Sequence, residues 1–174
     1  MIRSGTENDI DALLALLRAV AAGSATLACA PDEISRDYIA AAVTKSLATG
    51  ILLLATADEA VVGVVYSYAL GPRQFAHVLG ELTIAVHPAH QGQGIGRQLF
   101  ETLLERVRTT RPDIIRVELL VRGDNLGAQR LYLSLGFCEE GRLLGRVRLP
   151  DGTMVDDVMM AWHRSPPVAT LRTP

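Results

Sequence analysis

The sequence predicts an α/β fold of the mixed α+β kind, with about seven strands in a mostly antiparallel sheet and about four helices on its faces. Three observations carry this. Apolar residues recur at helical spacing in some segments and form β-branched or alternating runs in others. Two pairs of strand-like segments are joined by short turn signals, as hairpins are. Other strands are separated by helical segments, which a mixed sheet requires.

The predicted order begins with a short strand. Ile10, Leu13, Leu14, Leu17 and Val20 follow helical spacing, and Gly23 stops the pattern. Residues 32–47 read as a second helix, with Ile34, Tyr38, Ala41 and Ala42 on one side. Segments 51–56 and 60–70, rich in Val, Leu and Tyr, flank Asp58 and Glu59 as a hairpin. A strand over 77–86 ends at His87-Pro88, and Ile95, Leu99, Leu103 and Val107 mark a helix over 95–108. Residues 114–121 form a strand, and 125–135 a helix closed by Gly136. Segments 139–149 and 154–162 form a last hairpin around Pro150-Asp151-Gly152.

At 174 residues the chain reads as one domain over 1–163, followed by a frayed tail over 164–174 that carries Pro166, Pro167 and Pro174. It is 49% apolar and 21% charged, too apolar for disorder. Seventeen basic and 19 acidic residues give a net charge of −2, which argues against nucleic acid or an anionic membrane as partner. Lys45 is the only lysine, a bias attributable to base composition. Two cysteines, Cys29 and Cys138, cannot build a disulfide framework or a four-cysteine zinc site. The start lacks a secretory signal, and no apolar run reaches the roughly 18 residues of a membrane span. A cytoplasmic setting is the expectation.

The most informative segment is Val86-His87-Pro88-Ala89-His90-Gln91-Gly92-Gln93-Gly94-Ile95-Gly96-Arg97, between a strand and a helix start. Glycines let the backbone approach a ligand, and successive N–H groups with the helix dipole suit a phosphate or pyrophosphate. Arg97-Gln98 after Gly96 excludes a Walker loop. A dinucleotide fingerprint fails as well: from Gly92 or Gly94 its last glycine would fall on Arg97 or Leu99.

What remains, Gln91-x-x-Gly94-x-Gly96, resembles the pyrophosphate loop of the Gcn5-related N-acetyltransferases. A second block, Asn125-Leu126-Gly127-Ala128-Gln129-Arg130-Leu131-Tyr132-Leu133-Ser134-Leu135-Gly136-Phe137, is similar to that family's N-x-x-A-x-x-L-Y-x-x-x-G-F motif at all six specified positions. The resemblance covers nearly the whole chain, because the element order is also the family's. It implies a sheet splayed between its fourth and fifth strands and acetyl-CoA as cosubstrate.

Within that resemblance, the pyrophosphate rests on the N–H groups of Gln91, Gly92, Gln93, Gly94, Ile95, Gly96 and Arg97. Arg97 is either a further positive charge or a solvated helix residue. The pantetheine arm pairs with the backbone of Ile84, Ala85 and Val86, and the Val86 N–H polarises the thioester carbonyl. Tyr132 is the candidate general acid, since a phenol is protonated at neutral pH. Asn125 binds the pantetheine arm or an ordered water, and also suits an N-cap. For the base, strand alternation places His77, Leu79, Glu81, Thr83 and Ala85 on one face. Glu81 is the first candidate, with Glu118 and water as rivals. His77, His87 and His90 lack the i, i+4 spacing of a helical ligand pair, so no metal is expected. Cys138 reads as a buried structural thiol.

The final hairpin resembles a bacterial branch of L-amino-acid N-acetyltransferases and amino-acid-analogue detoxifying relatives. This chain has Leu149-Pro150 between Arg148 and Asp151, which departs from that branch's Arg-x-Asp-Gly turn. Arg148 either forks onto an acceptor carboxylate or pairs across the hairpin with Asp156 or Asp157. The expected function is direct acetyl transfer, in a ternary complex, to the primary amine of a small molecule such as an amino acid. A peptide or protein N-terminus is the alternative acceptor, and a non-catalytic acyl-CoA sensor the alternative class. Neither nucleic acid nor membrane is an expected partner; a homodimer is compatible with the reading.

Overall fold

The chain runs β1 (Ile2–Ser4), α1 (Ile10–Gly23), α2 (Arg36–Thr49), β2 (Ile51–Ala57), β3 (Ala60–Ala69), β4 (Val78–Val86), α3 (Ile95–Thr110), β5 (Arg116–Arg122), α4 (Leu126–Ser134), β6 (Cys138–Arg148) and β7 (Met154–His163). A computed structural model describes residues 1–23, 27 and 29–165. The strands join in one sheet, ordered β1-β2-β3-β4-β5-β7-β6. Every pairing is antiparallel except that of β4 with β5.

Local chemistry sets the boundaries. Asp58 and Glu59 both take positive φ, 47° and 66°, as a two-residue hairpin turn matched to strand twist requires. The second helix begins at Arg36 rather than residue 32, because the Ser35 hydroxyl accepts the Tyr38 N–H as an N-cap. Its buried face is Ile39, Ala42, Val43 and Ser46, which leaves Tyr38 45% exposed and corrects the predicted face. Ile34 is buried but precedes the helix, so it does not mark the face that the helix buries.

Two cores lie on opposite faces of the sheet. Phe100, Leu99, Leu103 and Val107 of α3 pack with Val117, Leu119 and Val121 of β5 and with Tyr132 and Phe137. On the other face, Leu13, Leu17 and Val20 of α1 and Ile39 and Val43 of α2 cover Leu52, Leu54, Val64 and Ala85. Each large side chain fully buried in these layers contributes about 1.5–3 kcal/mol of transfer free energy. Arg164 binds the carbonyls of Val107, Arg108 and Arg111, closing the end of α3, so the chain is tied down at the first residue of the expected tail. Residues 166–174 of that tail lie outside the described residues.

One departure from a regular sheet positions everything that follows. The fourth and fifth strands pair only at Val78↔Arg116 and Leu79↔Val117, although both continue beyond. Past Leu79 they diverge, and β4 has a free edge facing a gap.

Candidate active site

The glycine loop ends at this gap. His87 caps a short 3-10 turn through Nδ1, which accepts the Ala89 N–H, and the Gln91 amide side chain donates to the Val86 carbonyl at 3.0 Å. The Gln91 N–H is taken by the Pro88 carbonyl, so Gln91 shapes the loop instead of offering its backbone donor. Gly92 and Gly94 sit at φ of 74° and 78°, and a Cβ at either would meet open space. Gly94 is the N-cap of α3, where the N–H groups of the first turn have no helical acceptor. The N–H groups of residues 92–97 have no backbone acceptor among the described residues, and those of 95–97 lie at the positive end of the helix. Arg97 is turned aside: it donates to Ser134 Oγ at 2.8 Å and lies 3.5 Å from Glu101, tying α3 to α4.

The ladder decides which β4 groups face the gap. His87 donates its N–H to the Val62 carbonyl, and Gly63 pairs with Val86. Antiparallel strands alternate, so Ala85 directs its N–H and C=O to β3, whereas Ile84 and Val86 direct theirs to the gap. Of the three predicted backbone contacts, Ile84 and Val86 are oriented for a ligand there; Ala85 belongs to the ladder and to the second core.

Tyr132 is held on the α3 side of the sheet. The helix carrying it opens on Asn125, whose Oδ1 accepts the Ala128 N–H, and closes in a Schellman turn. In that turn the Phe137 N–H reaches the Tyr132 carbonyl and the Gly136 N–H reaches Leu133, with Gly136 at φ 90°. The motif's glycine and phenylalanine thus close the helix just after Ser134 and bond back to the backbone of Tyr132 and Leu133. The Tyr132 ring packs edge-on to Phe100 at 5.1 Å and tilted to Phe137 at 5.9 Å. Burial alone pushes its phenol up to about 12. The hydroxyl has no hydrogen-bond partner among the described residues, yet it is not sealed from solvent.

Glu81 stands on a bulge. The β3–β4 register passes from Tyr66↔Thr83 to Tyr68↔Gly80, so Glu81 and Leu82 together oppose Ser67. Glu81 has φ of 48°, a region that glycine favours and side chains avoid. Strict alternation fails here. Leu79 belongs to the α3 core, and Thr83 and Ala85 lie on the α1–α2 side with Tyr66. The single face predicted for residues 77–85 is therefore split, because one extra residue reverses the parity. Glu81 makes no hydrogen bond or ion pair among the described residues, and its charge acts on Tyr38 and Tyr68 of the α2 side. A cavity of about 80 Å³ opens on the same side, lined by Leu17, Cys29, Ile34, Tyr38, Tyr66 and Thr83 among others.

The sequence profile of the acetyltransferase (GNAT) family matches residues 20–137. The chain belongs to that family. The GNAT chain is 48% identical over 60 residues to a mycothiol acetyltransferase of Kineococcus radiotolerans, covering 34% of this chain and 19% of that protein. It is 46% identical over 59 residues to the N-alpha-acetyltransferase RimI of Mycobacterium tuberculosis, covering 34% of each. Those matches span only a fifth to a third of the relatives' lengths. Among solved structures, yncA from Salmonella typhimurium with its cofactor acetyl-CoA superposes with a TM-score of 0.83 at 21% identity, over 99% of this chain and 98% of that one.

The other predicted residues of this GNAT chain fall elsewhere. Glu118 pairs with Arg116 at 2.8 Å, and Arg116 also grips Glu140 at 2.6 Å. His163 Nε2 lies 2.9 Å from Glu140, and Arg116 holds the Glu140 carboxyl down at about 2, with His163 assisting. Cys138, Glu140 and His163 bring ligand-type atoms within 4.8 Å of one another, but the Arg116 guanidinium already sits against two of them. This cross-strand network escaped sequence reading because it needs the β6–β7–β5 register. Cys138 is exposed rather than buried, its Sγ against the Ala161 carbonyl at 3.4 Å. Asp157 pairs with Arg146 at 2.7 Å and Asp156 accepts the Gly145 N–H, so Arg148 has neither predicted partner. The shift of register between Leu143 and Val147 moves the arginines along the hairpin. A larger recess of about 570 Å³ between α3 and the end of α4 contains none of the predicted site residues. Among the described residues, no helix is long and apolar enough to cross a membrane.

Proposed function

We propose that this chain transfers the acetyl group of acetyl-CoA to the primary amine of a small molecule, an amino acid being the class that fits best. The observation that carries the reading is a pair of groups on the two sides of the sheet, neither partnered among the described residues. One is the carboxylate of Glu81, at the bulge where β4 leaves β5 and on the α2 side, and the other the buried phenol of Tyr132, on the α3 side.

Acetyl-CoA supplies the activated thioester. The open glycines and free N–H groups of residues 92–97 suit its pyrophosphate, and the gap-facing backbone of Ile84 and Val86 suits an extended amide-bearing arm. The Val86 N–H, if it meets the thioester oxygen, stabilises the charge that develops there. Glu81 accepts the proton of the acceptor ammonium, directly or through water, on the α2 side. Tyr132 remains protonated and donates its proton to the departing thiolate on the α3 side. The cavity on the α2 side is small, which favours an acceptor of modest size, and it is lined by Thr83, two residues beyond Glu81, and by Tyr38, on which the Glu81 charge acts.

Release of free CoA from acetyl-CoA, followed across free amino acids, polyamines, aminoglycosides and short peptides, tests this. Turnover with a free amino acid is the expected result. Turnover restricted to peptides would move the acceptor to a protein N-terminus, and acetyl-CoA binding without turnover on any amine would make the chain a sensor.

A further inference from the structure

Ser67 lies at the centre of the bulge that presents Glu81, and its side chain does something a ladder residue ordinarily does not. It is completely buried, and its hydroxyl donates to the Gly80 carbonyl at 2.6 Å. Gly80 immediately precedes Glu81, and Ser67 is the single residue opposing the bulged pair Glu81 and Leu82. A bulge locally disrupts the ladder, and here a side-chain hydroxyl satisfies the carbonyl at its entrance.

Ser67 is itself fixed from behind. Gly50, the C-cap of α2, approaches it so closely that a Cβ there would stand 1.9 Å from the Ser67 carbonyl oxygen and 2.7 Å from Tyr68 Cα. The end of α2 therefore lies close against the backbone of Ser67, and Ser67 grips the residue before Glu81. A left-handed non-glycine residue persists only where its surroundings over-determine it, at a cost of order 1–3 kcal/mol. Gly80 is boxed in as well: a Cβ there would meet the Leu70 side chain at 2.8 Å.

We propose that Ser67 is a positioning residue for the reaction: its hydroxyl holds the Gly80 carbonyl so that Glu81 keeps its left-handed backbone and aims its carboxylate at the acceptor amine. This rests on Glu81 being the base. Ser67 touches no substrate, because it is fully buried. Its effect runs entirely through Glu81, and that separates it from a residue that merely stabilises the sheet.

A double-mutant cycle reads this coupling. Ser67→Ala lowers kcat roughly ten- to a hundredfold, the scale on which misplacement of a catalytic group acts, and leaves KM for acetyl-CoA unchanged. In a Glu81→Gln background the same substitution changes kcat by less than about twofold, since there is no longer a base to aim. Ser67→Cys, near in size but a weaker donor, falls between wild type and Ser67→Ala and serves where the alanine variant folds poorly. An equal fold-loss in both backgrounds, or no loss in the wild-type background, overturns the proposal while leaving Glu81 as base. A Glu81→Gln enzyme that is itself near wild type instead overturns the assignment of the base.

Discussion

The Glu118 carboxylate lies 2.8 Å from the Arg116 guanidinium, and that pairing separates the two carboxylates flanking the gap. Glu118 is engaged through Arg116 in a network with Glu140 and His163, whereas Glu81 has no ion pair among the described residues. Glu118→Gln therefore keeps its activity within about threefold, with Arg116 retained by Glu140, while Glu81→Gln loses on the order of 10²–10⁴-fold in kcat. Steady-state kinetics on both folded variants at pH 7 check the contrast.

The backbone at Glu81 predicts an opposition between stability and activity. Glycine at φ 48° relieves the strain of a left-handed glutamate, and the exposed side chain gives up little packing. Net of glycine's own entropy cost, Glu81→Gly raises unfolding free energy by roughly 1 kcal/mol. The same variant has lost the carboxylate and is as impaired as Glu81→Gln. Urea denaturation beside the activity assay measures both.

Glu140 contributes a pH-dependent term. Its carboxyl is held at about 2, against an ordinary value of 4.5, chiefly by the Arg116 hydrogen bond. A depressed folded-state pKa gives stability that is present above the unfolded value and lost as pH falls from about 4.5 toward 2. Glu140→Gln removes about 1 kcal/mol at pH 6, allowing for solvent screening of a part-exposed pair, and almost nothing at pH 2. Denaturation midpoints at the two pH values test this; Asp9, also held at about 2 by Arg3, leaves a residual slope in both proteins.

Gly94→Val probes the anion loop. At φ 78° a branched side chain is strained, and it projects into the space beside the free N–H groups. Affinity for acetyl-CoA falls by at least about tenfold, the equivalent of roughly 1.4 kcal/mol, and titration of the folded variant reads it. Unchanged affinity would remove the loop from the cofactor site.

Much of this was legible from residue type and spacing. Asp58-Glu59 announced the hairpin, Asn125 the cap, Gly136 the end of α4, and the glycines before Arg97 a tight turn ahead of α3, because each acts through its nearest neighbours. The face of Glu81 was not legible in that way. Alternation along β4 assumes a constant period, and one inserted residue overturns it. Gly80 within an apolar strand was the available signal, since an isolated glycine in a strand marks a bulge. Ser67 in Val65-Tyr66-Ser67-Tyr68 gave no comparable sign, because its role exists only once β3 and β4 are in register. The Arg116, Glu140 and His163 network and the exchange of Arg148 for Arg146 likewise depend on pairing across strands.

The most direct test of the two-sided mechanism compares pH–rate profiles of folded Glu81→Gln and Tyr132→Phe with a free amino acid as acceptor. A base acts at the amine, whose pKa is about 7.7–8.0 when unperturbed, so raising the pH supplies the free amine that Glu81 would otherwise provide. An acid acts on the departing thiolate, and its loss is not repaired by free amine. The account predicts that Glu81→Gln recovers activity as pH rises through 8 to 9 and that Tyr132→Phe stays depressed for every acceptor. Near wild-type activity of Glu81→Gln at pH 7, or equal recovery of the two variants, would contradict it.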